Sequence, residues 1–338
     1  MAWVLFPGLL KADRRNGKTT LRKPLHFNLI RKVCRSRAFV LVAILAAAMV
    51  TAPARTRPLD VDDSDAKVAA PAVLDDPELG SGFQLLYQLK FEQARQHFVQ
   101  WEQERPAQPL GPALEAASVL FQEFYLKGVL TSEFFLDDNR LLGGIRDKPD
   151  AELERQFASA AQRAQKLARA RMTIQPKDPD ALFALTLIAG MQADDFFVIQ
   201  KRQLDSMRSL KDTDRNARIL LGVAPDTDDA YLALGVANYI IGCLPAYKRA
   251  VLWVGGVHGD KMLGMQQVAR AAGSEHARYL RPFARLMLAL AALREKNPDL
   301  ARQQLQELAT EFPENPLFAK ELAKMTPVMT GVSSHNTP

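Results

Sequence analysis

Two amphipathic stripes joined by a capped turn, between Arg285 and Pro313, constrain this chain more than any other stretch. In RLMLALAALREKNPDLARQQLQELATEFP, Leu286, Met287, Leu290 and Leu293, with Phe283 just ahead, recur at spacings of three and four and share one helical face. Leu300, Ala301, Leu305, Leu308, Ala309 and Phe312 repeat the pattern in the second half. Between them Asn297 stands where an N-cap belongs, and Pro298 takes the first helical position, where its missing N–H costs nothing. The spacing predicts a helical hairpin whose apolar stripe must be covered by neighbouring hairpins.

The same device recurs upstream. Asp178-Pro179 open DALFALTLIAG (Asp180–Gly190), and DAYLALGVANY (Asp229–Tyr239) echoes that helix 49 residues on. Ala301, Leu305 and Pro313 match the second half of the tetratricopeptide (TPR) signature. Gly82, Ala94, Phe98 and Pro106 stand at the spacing it asks for, and Tyr231, Leu234 and Gly235 reproduce its W-x2-L-G opening with Tyr in the aromatic place. The chain therefore resembles the TPR family, and among its members the exported TPR proteins of bacteria. It departs from the pattern ahead of Gly82, where the usual aromatic and Leu are missing. Its units, near Leu182, Tyr231 and Arg285, are spaced 49 and 54 residues apart, against about 34 in the family. The resemblance implies an all-α, TPR-like helical-hairpin solenoid with expanded, irregular repeats over 82–325.

Charge is segregated. Residues 1–54 hold ten Lys/Arg and one acid, a net of +9; against a whole-chain net of +6, residues 55–338 carry −3. The basic character belongs to the leader, which excludes a nucleic-acid partner for the remainder. The leader has a basic region ending at Arg37, an apolar run Ala38–Val50 and small residues at Ala52-Pro53-Ala54, the three parts of a secretory signal. Thirteen apolar residues fall short of the roughly 20 that cross a bilayer. Cleavage after Ala54 is one reading; retention as an N-terminal anchor, the only membrane contact expected, is the other. Either places the rest outside the cytoplasm, in the periplasm or tethered facing it. Residues 55–81, rich in Asp, Ala and Pro, read as a disordered acidic linker, and 326–338 as a disordered tail.

Within the array, Gly128–Asp150 breaks the helical pattern as an insertion in a size range where loops are usually functional or disordered. Phe134, Phe135 and Leu136 make it too apolar to be merely solvated. They either tuck under the array as a plug or lie across its groove. Ala151–Met172 reads as one long helix, and Gln192–Arg218 as two helical pieces.

No string carries a recognisable chemistry. GGVHGDKMLG (Gly255–Gly264) lacks the Gly-Lys-Ser/Thr end of a phosphate loop and reads as a turn feeding an N-cap at Asp260. The five histidines stand far apart, and Cys243 alone follows the leader, inside an apolar run. Asp194-Asp195 beside Phe196-Phe197 resemble an acid–base or metal pair only superficially, and Asp226, Asp228 and Asp229 read as helix-start acids. No catalytic residue, metal or cofactor is assigned.

What remains is groove binding. The expected function is that of an exported non-catalytic scaffold holding a protein or peptide partner through Asn238, Tyr239, Tyr247, Trp253 and Arg285, with Phe134 and Phe135 from the insertion. The alternatives are a membrane-tethered assembly factor of the cell envelope and an enzyme with its site in the inter-repeat insertions.

Overall fold

Each helix packs chiefly on its neighbour in sequence, because each carries one apolar stripe and a short turn returns the chain to cover it. The computed structural model describes residues 76–325, apart from Gly255, Arg278 and the side chains of Lys248 and Val251. The leader, residues 55–75 of the expected linker, and the tail lie outside the described residues. Among the described residues the chain is all-α, with no strand.

The helices are α1 (Pro77–Tyr87), α2 (Phe91–Glu104), α3 (Leu110–Leu126), α4 (Ser132–Leu136), α5 (Asp138–Gly143), α6 (Ala151–Ile174) and α7 (Pro179–Asp194). A π-helical turn (Asp195–Ile199) follows, then α8 (Gln203–Val223), α9 (Asp229–Cys243), α10 (Ala246–Val254), α11 (Lys261–Gly273), α12 (Arg281–Arg294), α13 (Pro298–Glu311) and α14 (Pro316–Met325). Packing runs α1 on α2, α2 on α3, α3 on α6, α6 on α7, α7 on α8, α8 on α9, α9 on α11, and α11 through α14 in order. The long helix is α6, and the stretch expected as two helical pieces is the end of α7, the π turn and one continuous α8.

The starts of the helices follow from local chemistry. Asp178 caps α7 by accepting from Ala181 N at 2.8 Å, and Asn297 caps α13 by accepting from Leu300 N at 3.2 Å, each followed by a proline. Asp76 uses the same device, accepting from Glu78 N at 2.9 Å ahead of Pro77. This corrects the linker boundary: residues 77–81 are the first turns of α1, because an Asp-Pro pair in an acidic stretch starts a helix as well as any other.

Where α9 and α11 cross, the backbones nearly touch. A Cβ on Gly264 would lie 2.4 Å from Tyr239 N, and one on Gly235 would lie 2.7 Å from Val268 N. Asp260, the N-cap of α11, accepts from Leu263 N at 3.0 Å. Only residues without a side chain allow that approach.

The two ends of the described array meet. The Tyr87 hydroxyl donates to Tyr279 O and the Tyr279 hydroxyl to Asp76 O, both at 2.7 Å, while Asn315 Nδ2 donates to Tyr87 O at 2.7 Å. The Phe83 ring stacks on Tyr279, and Tyr87 lies against Phe312. Helix α1 is thus fastened to the residues flanking α12 and to the turn before α14.

The insertion bridges the same region. Arg294 Nη1 donates to Phe135 O at 2.6 Å and Nη2 to Asp138 at 2.7 Å. Lys324 pairs with Glu133 and Glu321 at 2.7 Å each, and Glu321 accepts from Ser132 N at 3.3 Å. On its far side, Ile145 N donates to Val198 O in the π turn at 2.9 Å.

Candidate functional site

A closed array of helices has an inner face, and here that face does not fill its own centre. Side chains from α1, α3, α7, α8, α9 and α12, with Phe134 and Phe135 of the insertion, wall a cavity of about 400 Å³. Phe121, Leu187, Phe197, Val236, Phe283 and Leu286 line it and are only half-buried although they sit among core residues. A wall so apolar, interrupted by a few polar groups, is the usual make-up of a small-molecule site, and 400 Å³ falls within the range of such sites.

The size bears on the energetics. Lost packing costs roughly 24 cal/mol per Å³ in engineered cavities, so a fully closed void of this volume would forgo on the order of 10 kcal/mol. That rivals the whole net stability of an ordinary domain. The cavity is open to its surroundings along part of its wall, so that figure is an upper bound on what its volume costs.

The polar groups on the wall are mostly committed to the fold. The hydroxyls of Thr186, Ser206 and Thr213 donate to the carbonyls of Leu182, Ala193 and Ser209 at 2.8, 2.9 and 2.9 Å. Asn315 and Glu321 are engaged as described above. Asp194 differs: it lines the cavity, is exposed, and has no hydrogen bond or ion pair to another described residue. Burial among protein atoms, with Asp195 beside it as the lesser cause, pushes its carboxyl up to about 7. Asp195 points the other way, is buried, and accepts from Gln200 Nε2 at 2.6 Å; burial raises it also to about 7, against the pull of that hydrogen bond. The two are consecutive residues where α7 passes into the π turn, and Phe197 and Val198 of that turn line the cavity.

The residues singled out from sequence do not form one surface. Phe134 and Phe135 line the cavity. Tyr239 is buried and its hydroxyl donates to Glu295 at 3.1 Å; burial is the main cause that holds its proton well above the usual phenol range. Glu295 also accepts from Lys261 at 2.7 Å, which with the Tyr239 hydroxyl holds its carboxyl below the usual value and ties α9, α11 and α12 together. Tyr239 further borders a smaller pocket of about 70 Å³ with Cys243 and Arg294. Asn238 Nδ2 donates to Gln267 at 2.9 Å, and Arg285 bridges α12 to Glu307 and Glu311 of α13 at 3.3 and 3.2 Å. Those two are packing residues in this fold. Tyr247 and Trp253 are 68% and 65% exposed on α10.

The acids of the Asp226–Asp229 turn tie elements together: Asp228 meets Arg270 at 2.9 Å and Ser274 at 2.6 Å, and Asp229 accepts from Leu280 N at 2.8 Å. Among the described residues no three His, Cys, Asp or Glu side chains stand close enough to hold a metal ion. Pro179–Ile199 is long and apolar enough to cross a membrane by length and composition, and 56% of its most apolar window is buried inside the fold. Sequence reading passed over the cavity, since only the Thr186, Gly190, Asp194 spacing on α7 hinted at a polar line in an apolar helix. Neither a family model nor a curated protein matches the chain, and the geometry has to carry the functional reading.

Proposed function

We propose that this chain is a non-catalytic binding protein, an irregular TPR-like array that carries a small apolar ligand inside its helices. The observation that carries this reading is the cavity of about 400 Å³, walled by half-buried aromatic and aliphatic side chains. An open groove suited to a peptide would present polar and aromatic side chains to solvent; here Phe134, Phe135 and Phe283 turn inward. The ligand is held by area removed from water, at roughly 25 cal/mol per Å² of apolar surface. Such a protein works by sequestration or carriage. Its leader directs export, and sequencing the N-terminus of the mature protein separates cleavage after Ala54 from retention as a tether.

The test is binding of N-phenyl-1-naphthylamine, whose fluorescence rises in apolar surroundings. The wild-type protein should bind it. Gly190→Leu with Val236→Phe, which adds side-chain volume at two points of the wall, should weaken binding at least about tenfold while circular dichroism stays unchanged. Equal binding by the filled variant would remove the cavity reading.

A second reading, a protein partner, rests on a different surface. Tyr247, Trp253 and Val254 of α10 and Met262 and Leu263 of α11 are 68, 65, 83, 64 and 43% exposed, more large apolar surface than any other described stretch presents. Partner recovery from the envelope fraction that drops in Tyr247→Ala with Trp253→Ala supports this reading; recovery that stays constant removes it.

A further inference from the structure

The cavity wall is polarised, and its polar side offers acceptors. Thr186, Gly190 and Asp194 recur every fourth residue on α7, share one face of that helix, and all line the cavity. Ser206 and Thr213 line it from α8. Each of these hydroxyls spends its proton on a helix carbonyl and is buried, so none donates into the cavity. Asp194 adds a carboxylate without a described partner, and the exposed Gln203 adds an amide. Phe283, Leu286, Leu290 and Leu293 of α12 line it with purely apolar surface. A single carboxylate on an otherwise largely apolar wall is complemented by a molecule with one cationic head and a long apolar body.

We propose that the ligand of this cavity is an apolar-chain amine, its ammonium seated on the Asp194 carboxylate and its chain laid against α12. This rests on the cavity reading above and adds the head group to it. Asp194 is exposed on that wall and has no described partner, and an opposite charge is what its carboxylate attracts. An alcohol would satisfy one lone pair and leave the charge uncompensated; a carboxylate head would meet like charge. The other titratable groups around this wall do not supply the cation. Asp195 is an acid, Glu123 and Glu154 act on Asp195 from its far side, Arg202 also acts on Asp195, and Lys324 is engaged by Glu321 and Glu133. An ammonium beside Asp194 favours its ionised form, so binding near neutral pH expels a proton.

Isothermal titration of decylamine, 1-decanol and decanoate into the wild-type protein, Asp194→Asn and the filled Gly190→Leu/Val236→Phe variant tests this. At about pH 8 decylamine should bind roughly tenfold or more tighter than decanol, the scale of a hydrogen bond to a charged group. Asp194→Asn should level the two. Near neutral pH, runs in buffers of different ionisation enthalpy should show proton release by the wild type and none by Asp194→Asn, with Asp194→Leu as the second variant. Decanol binding as tightly as decylamine, or an unchanged preference in both Asp194 variants, overturns the head-group assignment while leaving the cavity reading intact. Failure of all three chains to bind, or equal binding by the filled variant, overturns both.

Discussion

The ring of Tyr279 lies on that of Phe83, centroids 4.8 Å apart and planes within 4° of parallel, and this stack joins the first described helix to the turn that feeds the twelfth. It converts a row of helices into a chamber. The Tyr87 and Tyr279 hydroxyls and the Asn315 amide, each satisfied by a backbone carbonyl, hold the same seam.

Loss of the stack should be costly. Phe83→Ala removes a side chain that is 4% exposed and should destabilise by about 3–5 kcal/mol. Tyr279→Phe loses the hydroxyl bond to Asp76 O, on the order of 1 kcal/mol. Urea unfolding measures both, and a double-mutant cycle between Phe83 and Tyr279 should return a coupling of about 0.5–1.5 kcal/mol. A Phe83→Ala loss below about 1 kcal/mol would show that the seam does not stabilise the array.

The glycines should divide by what surrounds them. On Gly82 a Cβ would meet the buried Phe98 ring at 2.3 Å, and on Gly264 the Tyr239 backbone N at 2.4 Å; on Gly190 the nearest atom is Thr213 Cγ2 at 3.9 Å. Gly82→Ala and Gly264→Ala should each destabilise by about 1–3 kcal/mol, since neither neighbour can retreat. Gly190→Ala should stabilise by roughly 0.5–1 kcal/mol, the usual gain in a helix interior. Thermal melts of the three variants decide it, and a destabilised Gly190→Ala would contradict the open wall.

Stability should fall as pH rises across the neutral range. Asp194 and Asp195 go from an ordinary value of 3.8 to about 7 in the fold, so the folded state holds protons that the unfolded state has released. Stability therefore declines from the unfolded value upward and levels off above the folded one. Melting temperatures at about pH 5 and about pH 8 should differ in that direction, and Asp194→Asn with Asp195→Asn should flatten the difference. A wild-type midpoint independent of pH would show that neither acid is perturbed.

Arg294 fastens the insertion to α12 through Phe135 O and Asp138. Arg294→Ala should leave the helices folded and loosen 128–150, read as faster hydrogen exchange and earlier proteolytic cutting in that segment. Because Phe134 and Phe135 belong to the cavity wall, apolar-probe affinity should weaken in parallel. Unchanged exchange in 128–150 would place the insertion's hold elsewhere, at Lys324 and Glu321.

Several helix starts and apolar faces were legible from spacing, whereas the two short helices of the insertion and the continuous α8 were not. Asn297-Pro298 and Asp178-Pro179 start helices through contacts within three residues, and an apolar stripe at intervals of three and four marks the side that leaves water. Asp76-Pro77 carries the same signal, but the acidic stretch around it has no apolar period to mark a helix. Periodicity cannot say what a stripe meets once it leaves water. Leu182, fully buried against neighbouring helices, and Leu187, half-buried on the cavity wall, look alike in the sequence of α7. The seam between Phe83 and Tyr279 and the inward turn of Phe135 depend on pairings across most of the chain. Local propensity specified the hairpins; closure of the array, a long-range packing event, decided that they surround a chamber.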